Sequence, residues 1–449
     1  MWFGLNRRVL YTFLSASIIL GGTLAAIQYA KGNYRITRSG FVPESGLLSA
    51  NSFPPGAEVI INDKLVTATD DTIYLEPGQY KVQIIKDGYS PWTKMLNIEK
   101  ELVTQTNAQL FPMAPSFTPL TFTGVQNVSP SPDGLKLLYY TASASAQTKN
   151  GLYLLDLSSN PLSLQRGARH VAEDLPEWNL DQAEFIWSPD SSEVMMMVGG
   201  RQVMLDLNKK NVLTSLPDIT FTSKRILSQW EEEMYVRERE FLAKFPPEMI
   251  EISTRSAKNA YLSPDKKRLL YTATSEVTIP EGITPPVPAT NTQPEVRDLK
   301  PGHMYVYDRE EDKNFEVGME NDTSATTPKL LLATDLFNKD PLTLAASPGA
   351  FQRLQATSSA LTAQAFNSYH TPLFLPTGVF QWFPDSARLL YTYEQGIRIK
   401  EYDGTNDTNL YSGPFADSFV YPWPDGSKLL ILTSFSPNTP LNLYAIELK

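Results

Sequence analysis

Residues 185–199 read FIWSPDSSEVMMMVG, and the pattern of this stretch returns four more times along the chain. Each copy has a Pro-Asp turn, a charged residue three positions after the aspartate, and then a continuous apolar run. Such a run between turns is typical of a strand buried on both faces, so we predict an all-β domain of repeated strand–turn–strand units. The other copies are VSPSPDGLKLLYYTA from Val128, AYLSPDKKRLLYTAT from Ala260, FQWFPDSARLLYTYE from Phe380 and VYPWPDGSKLLILTS from Val420.

The aspartate of each turn has a local explanation. Proline presets the backbone for a turn, and an aspartate side chain can accept hydrogen bonds from nearby backbone N–H groups. One aspartate per repeat at the same position is also what a repeated architecture produces. We therefore predict a structural role, in preference to a metal or acid–base cluster, for Asp133, Asp190, Asp265, Asp385 and Asp425.

These units resemble the blades of the TolB-like β-propeller, a WD40-like repeat fold in which W-S-P-D-G begins the first turn of each blade. Trp187 to Asp190 is the copy most similar to that motif. The resemblance implies a propeller over residues 116–449 with five recognisable blades. Successive turn aspartates lie 57, 75, 120 and 40 residues apart, against about 40 to 45 residues for an ordinary blade. Insertions must fill the excess.

Three insertions are predicted, at residues 226–250, 279–301 and 318–371. In the first, Ser228 and Glu231 have the form of a capping box, and apolar side chains at helical spacing predict a helix on the propeller surface. The second is rich in proline and predicts a loop between two strands of one blade. The third is rich in small polar residues. It is either an excursion, which we favour, or a degenerate sixth blade.

Residues 46–112 show short runs of alternating apolar and polar residues, which predict five or six strands. Three stretches, Phe53 to Val59, Leu75 to Val82 and Lys86 to Tyr89, resemble the motifs of the PEGA domain, although Pro55 stands where that family usually has glutamate. The resemblance implies a small β-sandwich with no known catalytic role. Its turn residues are Pro54, Pro55, Gly56, Pro77, Gly78 and Gly88.

The N-terminus contains 22 residues without a charge, from 9 to 30. As a helix they reach about 33 Å, so we predict a transmembrane signal-anchor, with a cleaved signal as the alternative. Residues 1–8 are then cytoplasmic, residues 31–45 form a stem, and the bulk of the chain lies outside the cell membrane. The net charge of -10 divides into +5 over the first forty residues and -15 beyond them.

The sequence contains few of the residues and motifs that form catalytic or metal sites. The chain has no cysteine and three histidines, His170, His303 and His370, and it lacks the common hydrolase, nucleotide and zinc motifs. We predict no catalytic activity, no cofactor and no metal site, and the acidic balance argues against nucleic acid as a partner.

The resulting functional prediction is a binding or scaffold protein of the bacterial cell envelope. Its propeller would present a surface to an unknown protein or cell-wall glycan. The two alternatives are an enzyme with its site in the propeller funnel, and a structural spacer or assembly protein of the cell surface.

Overall fold

The computed structural model describes residues 7–30, 34–37, 40–43, 45–158, 167–288, 291–319, 380–393, 396–416, 419–436 and 439–449. The chain forms two compact units. The first comprises Met1–Leu110 and Val287–Gln293, and the second comprises Phe111–Pro286 and Pro294–Lys449. Apart from its first two residues, the predicted insertion at 318–371 lies outside the described residues. The alternative prediction of a degenerate sixth blade falls on the same residues.

The N-terminal helix α1 spans Arg7–Ala30. Among the helices of the described residues, none has the length and apolar character needed to cross a membrane. The predicted anchor at 9–30, and with it the location at the cell membrane, is therefore wrong. A membrane span requires about 20 consecutive, predominantly apolar residues, so the absence of charge alone does not establish one. In α1 the hydroxyls of Ser15 and Thr23 donate to the carbonyls of Thr12 and Ile19 at 3.0 and 2.8 Å.

The first unit is a small β-sandwich preceded by the antiparallel pair β1–β2. One sheet has the strand order β10-β3-β7, a second has the order β6-β5-β8-β9, and β4 pairs with β11. The strands are β1 (Tyr34–Thr37), β2 (Gly40–Pro43), β3 (Gly46–Ala50), β4 (Ser52–Phe53), β5 (Glu58–Ile61), β6 (Lys64–Ala68), β7 (Asp71–Leu75), β8 (Gly78–Ile85), β9 (Trp92–Ile98), β10 (Val103–Gln105) and β11 (Ala108–Gln109).

The core of this unit follows from strand alternation. In β8, Val82 and Ile84 are fully buried, whereas the intervening Gln83 is partly exposed. Together with Leu48 and Trp92 these side chains form one apolar cluster between the sheets. The alternation of apolar and polar residues therefore fixes which face of the strand lies inside.

In the described part of the second unit, five antiparallel sheets have three or four strands, and we call them blades 1 to 5. Blade 1 has β13 (Gln126–Pro130), β14 (Lys136–Thr141), β15 (Gly151–Asp156) and β16 (Arg169–Glu173), and blade 2 has β17 (Glu184–Trp187), β18 (Glu193–Val198) and β19 (Arg201–Asp206). Blade 3 has β20 (Ala257–Leu262), β21 (Arg268–Ala273), β24 (His303–Asp308) and β25 (Lys313–Met319). Blade 4 has β26 (Gln381–Trp382), β27 (Arg388–Tyr393), β28 (Gly396–Glu401) and β29 (Thr408–Ser412), and blade 5 has β30 (Val420–Pro422), β31 (Lys428–Thr433), β32 (Asn442–Glu447) and β12 (Phe117–Pro119).

Blade 5 joins the two ends of the second unit. The early strand β12 pairs antiparallel with the last strand, β32, with Thr118 opposite Ala445. One apolar cluster then lies between blade 5 and blade 1, and others lie between blades 1 and 2, 3 and 4, and 4 and 5. Strand pairing and these clusters together hold the repeat in a propeller arrangement.

The second strand of each blade is buried on both faces, as its continuous apolar run predicts. In β14, Leu138 and Tyr140 pack toward blade 2. The alternate residues Leu137 and Tyr139 pack toward blade 5. Each such strand therefore serves two neighbouring cores at once.

The helical insertion is present and fills the junction between blades 2 and 3. Helix α2 spans Ser223–Leu242 and helix α3 spans Pro247–Arg255. The side of α2 with Leu227 and Met234 packs on blade 2, and α3 packs on blade 3. Ser228 lies inside α2, so the predicted capping box there is wrong.

The proline-rich insertion leaves blade 3 between β21 and β24. Its ends form a short antiparallel ladder of β22 (Val277–Thr278) with β23 (Asp298–Leu299). Arg297 fastens it to the blade, since its guanidinium donates to the carbonyl oxygen of Pro280 at 2.6 Å and lies 3.5 Å from the carboxylate of Asp312. Residues Val287–Gln293 belong to the first unit, where Gln293 Nε2 donates to the Met95 carbonyl at 2.7 Å.

Candidate functional site

The five predicted turn aspartates each satisfy their own turn. In every copy Oδ1 accepts a hydrogen bond from the backbone N–H two residues later, at 2.8–3.1 Å. In three copies it also accepts from the serine two residues earlier, as Asp133 does from Ser131 Oγ. For Asp190 the hydrogen bond from Ser188 Oγ is the main cause of a lowered pKa. These carboxylates are therefore committed to local backbone structure.

The residue after each aspartate adopts a left-handed backbone conformation. The φ values lie between 58° and 75° at Gly134, Ser191, Lys266, Ser386 and Gly426. This conformation turns the chain back at once into the second strand of the blade. In two copies the resulting position brings a serine against the preceding blade.

These serines accept hydrogen bonds from the preceding blade. Ser191 Oγ in blade 2 accepts from the backbone N–H of Asp133 at 3.4 Å, and its carbonyl accepts from Lys136 Nζ at 2.7 Å. Ser386 in blade 4 has the same two partners in blade 3: the N–H of Asp265 at 2.9 Å and Arg268 Nη1 at 2.9 Å. The cations Lys136 and Arg268, three residues after their turn aspartates, thus have a function that the sequence did not reveal, which is to reach the next blade.

Blade 2 differs from blades 1 and 3, and its sequence shows it. Its residue at that position is Glu193 instead of a cation, and its neighbour in space is α2 instead of a blade. Arg237 from α2 donates to the carbonyl of Pro189, in the turn of blade 2, at 3.3 Å. A cation of the following helix therefore contacts the turn of blade 2.

A buried ion pair reinforces the junction of blades 3 and 4. Arg268 Nε lies 2.7 Å from Asp308 Oδ2, and the two side chains are 17% and 2% exposed. The guanidinium also lies 4.1 Å above the ring of Tyr402 in blade 4. A charge pair so enclosed contributes to junction geometry, and removing one partner leaves an uncompensated buried charge.

The turn residues of the first unit are likewise structural. The carbonyl of Pro55 accepts from Lys86 Nζ at 2.5 Å, and the N–H of Gly56 donates to Thr69 at 2.9 Å. Gly56 and Gly88 have φ values of 71° and 80°. The turn that contains Pro77 is closed by Tyr80 Oη donating to the carbonyl of Glu76 at 3.0 Å, and Gly78 is the first residue of β8.

The histidines lie in separate surroundings. His170 stacks on Tyr153 at a centroid distance of 4.7 Å, and burial lowers the pKa of its imidazole. His303 Nδ1 lies 2.8 Å from Glu316 Oε1, and His370 is outside the described residues. Over the described ranges, no three His, Asp or Glu side chains are grouped so that they could hold a metal ion.

A polar cluster in blade 4 was not expected from the sequence. Asp407 accepts from Tyr391 Oη at 2.5 Å and from Arg398 Nε at 3.0 Å. Lys400 Nζ lies 3.8 Å from the same carboxylate and donates to the carbonyl of Val317 in blade 3 at 2.9 Å. Burial lowers the pKa of this ammonium and raises that of the Tyr391 phenol. The cluster is a cross-blade tie whose groups satisfy one another.

Aromatic side chains gather where the edge strands β12 and β29 meet, at the junction of blades 4 and 5. Phe117 lies 5.5 Å from Tyr411 and 5.8 Å from Phe435, and Phe435 lies 4.9 Å from Tyr444, all edge to face. Phe117 and Phe435 remain 38% and 52% exposed, whereas Tyr411 beneath them is 7% exposed. Phe415 lies 6.1 Å from Tyr411. We call these five residues the edge aromatic cluster: Phe117, Tyr411, Phe415, Phe435 and Tyr444. Sequence reasoning missed it because these residues occupy no common repeat position.

Comparison with known proteins supports part of this description. Residues 45–113 match the family described as PEGA domain, and no curated protein matches the chain. A putative TolB from Agrobacterium tumefaciens is 11% identical, with 74% of this chain and 83% of that chain covered and a TM-score of 0.21. TolB from Acinetobacter baumannii is 10% identical over 82% and 59% of the two chains, with a TM-score of 0.19.

A further similar structure is an oligogalacturonate lyase from Vibrio parahaemolyticus. It is 9% identical, with 82% and 86% of the two chains covered and a TM-score of 0.25. Because all three scores are low, the blades are defined by strand pairing and packing within this chain. The predicted PEGA domain is confirmed by the match over residues 45–113. The described residues after it form the blade-like antiparallel sheets that the repeat predicts.

Proposed function

We propose that this is a binding protein without catalytic activity, and that its propeller presents the edge aromatic cluster to a protein partner. The observation that carries the proposal is the exposure of Phe117 and Phe435 side by side on a buried aromatic base. Rigid aromatic side chains of this kind form the energetic centres of protein interfaces.

The rigidity of the cluster supports this proposal. Tyr411 Oη donates to the carbonyl of Pro414 at 3.0 Å, and Thr433 Oγ1 donates to the same carbonyl at 2.5 Å. The Tyr411 ring, against which Phe117 packs, is therefore held before a partner arrives, and this lowers the entropy lost on binding. The engagement of the five turn aspartates in their own backbone turns also favours binding over acid–base chemistry.

The test compares two variants of the full chain. Proteins crosslinked to the wild type are identified, and the affinity of the purified partner is then measured for Phe117→Ala/Phe435→Ala and for Phe221→Ala. Phe221 is the matched control because it is fully exposed and lies outside the cluster. We expect the double variant to bind at least about tenfold more weakly, since hot-spot truncations cost about 2 kcal/mol or more, and the control to bind as wild type.

Two outcomes would contradict the proposal. An unchanged affinity in the double variant would place the binding surface elsewhere. Binding of the wild type to a glycan array, lost in the double variant, would replace the protein partner with a cell-wall or other glycan.

A further inference from the structure

Methionine is concentrated at one junction of the propeller. The chain has no cysteine and eleven methionines, so methionine is its only oxidisable sulfur. Four of them lie in the apolar contact between blade 2 and α2, and we call them the methionine seat: Met195, Met197, Met204 and Met234.

The seat joins two strands to one helix. Met195 on β18 lies opposite Met204 on β19 in the strand register, and Met197 follows on the same face of β18. Met234 of α2 and Met195 are 6% and 0% exposed, whereas Met197 and Met204 are only partly buried. A small oxidant in solution therefore reaches the border of the seat before its centre.

The junction beneath α2 differs from the other blade junctions. Blades 1 and 2, and blades 3 and 4, are joined by serine, cation and tryptophan hydrogen bonds. Helix α2 is held on blade 2 by an apolar cluster in which the four methionines pack with aliphatic side chains and Trp230, together with the bond from Arg237 to Pro189. Thioethers pack adaptably, so the stability of this contact depends on the seat remaining apolar.

We infer that the methionine seat is a redox-sensitive latch for α2, and that a peroxide is the oxidant. The sulfur lone pair of Met197 or Met204 attacks one oxygen of hydrogen peroxide, the O–O bond breaks, and the second oxygen leaves as water after taking up the transferred proton. Sulfur loses two electrons to become a sulfoxide, and the peroxide is reduced. The polar sulfoxide lacks partners in an apolar seat and favours the state in which α2 is released.

The experiment measures the opening of α2 by proteolysis of the full chain. Trypsin can cleave after Lys224, Arg225 and Arg237 once the helix is released, and cleavage then follows the population of the open state. Graded hydrogen peroxide is applied, the occupancy of each sulfoxide is read by peptide mass spectrometry, and the rate of cleavage within Ser223–Leu242 is recorded. We expect about a tenfold increase when Met197 and Met204 are converted.

Matched variants make the test specific. Met197→Leu/Met204→Leu keeps the volume and apolar character of the seat, so it should fold, show the untreated cleavage rate and lose the response to peroxide. Met95→Leu/Met319→Leu removes two methionines that are 51% and 60% exposed and lie outside the seat, and it should respond as wild type. Full oxidation of Met197 and Met204 without faster cleavage, or a persistent response in the leucine seat variant, would overturn the inference.

Discussion

The indole Nε1 of Trp187 donates a hydrogen bond of 2.9 Å to Ser129 Oγ in the preceding blade. Trp382 repeats this relationship, because its Nε1 donates to the carbonyl of Tyr261 at 3.1 Å. Both tryptophans stand three residues before a turn aspartate, and both acceptors stand four residues before the aspartate of the previous blade. These two tryptophans thus donate a hydrogen bond to the preceding blade as well as filling the core.

The first prediction concerns that bond. Trp187→Phe should lower the free energy of unfolding by about 1–3 kcal/mol, because the buried Ser129 hydroxyl loses its partner and the smaller ring leaves space. Urea unfolding of Trp187→Phe, Ser129→Ala and the double variant gives the coupling energy of the two side chains. We expect a coupling of about 1 kcal/mol, and a value near zero would show that the bond contributes nothing.

The second prediction compares two ion pairs at adjacent positions. Asp308→Asn should destabilise the chain by about 3–5 kcal/mol, since it removes the nearer countercharge of the buried Arg268 guanidinium and leaves Asp265 at 3.7 Å. In the neighbouring pair, Lys267 Nζ lies 2.9 Å from Glu310 Oε2, and the two side chains are 43% and 50% exposed. Glu310→Gln should therefore cost no more than about 0.5 kcal/mol. Equal losses in the two variants, measured by urea unfolding, would contradict the assignment of a buried pair at the blade 3–4 junction.

The third prediction concerns alkaline pH. Burial, followed by the 2.9 Å hydrogen bond to Asp174, raises the pKa of Tyr140 to about 12, against an ordinary value of 10.0. The neutral phenol is therefore favoured by folding, and its contribution to stability is full below pH 10 and is lost as the pH rises toward 12.

Tyr140→Phe should reduce stability at pH 7, where the bond to Asp174 is lost, and should flatten the decline between pH 10 and 12. Urea unfolding at pH 7, 10 and 11 measures both effects. Tyr393→Phe is the control, as that ring is 48% exposed. A decline equally steep in wild type and Tyr140→Phe would refute the assignment to Tyr140.

The fourth prediction separates backbone strain from crowding at two glycines with positive φ. A Cβ added at Gly426, in the turn of blade 5, would lie 2.9 Å from the ring of Phe383 in blade 4, whereas one added at Gly302 would meet nothing within 4 Å. Gly302→Ala should cost about 1 kcal/mol from strain alone. Gly426→Ala should cost about 1–3 kcal/mol more, because the blade junction must shift. Similar thermal midpoints for the two variants would show that the junction yields freely.

The repeat was predictable because each turn is satisfied locally. Proline, aspartate and the left-handed residue after it close the turn with no distant partner, and the apolar run that follows can only be a strand buried on both faces. The alternation in β8 fixed the inner face of the PEGA sandwich for the same reason. The N-terminal prediction rested on the absence of charge and is contradicted, because no helix of the described residues is long and apolar enough to span a membrane.

Only the tertiary structure shows which residues of different blades come into contact. The sequence determined that Lys136 and Glu193 occupy equivalent repeat positions, but only the packing shows that Lys136 reaches Ser191 in the next blade, whereas the neighbour of blade 2 is α2. It likewise brings Phe117 and Phe435, far apart in the chain, to the edge of one blade junction. Turn hydrogen bonds and strand alternation depend on residues close together in the sequence. Contacts between blades depend on how distant segments pack, which neighbouring residues do not specify.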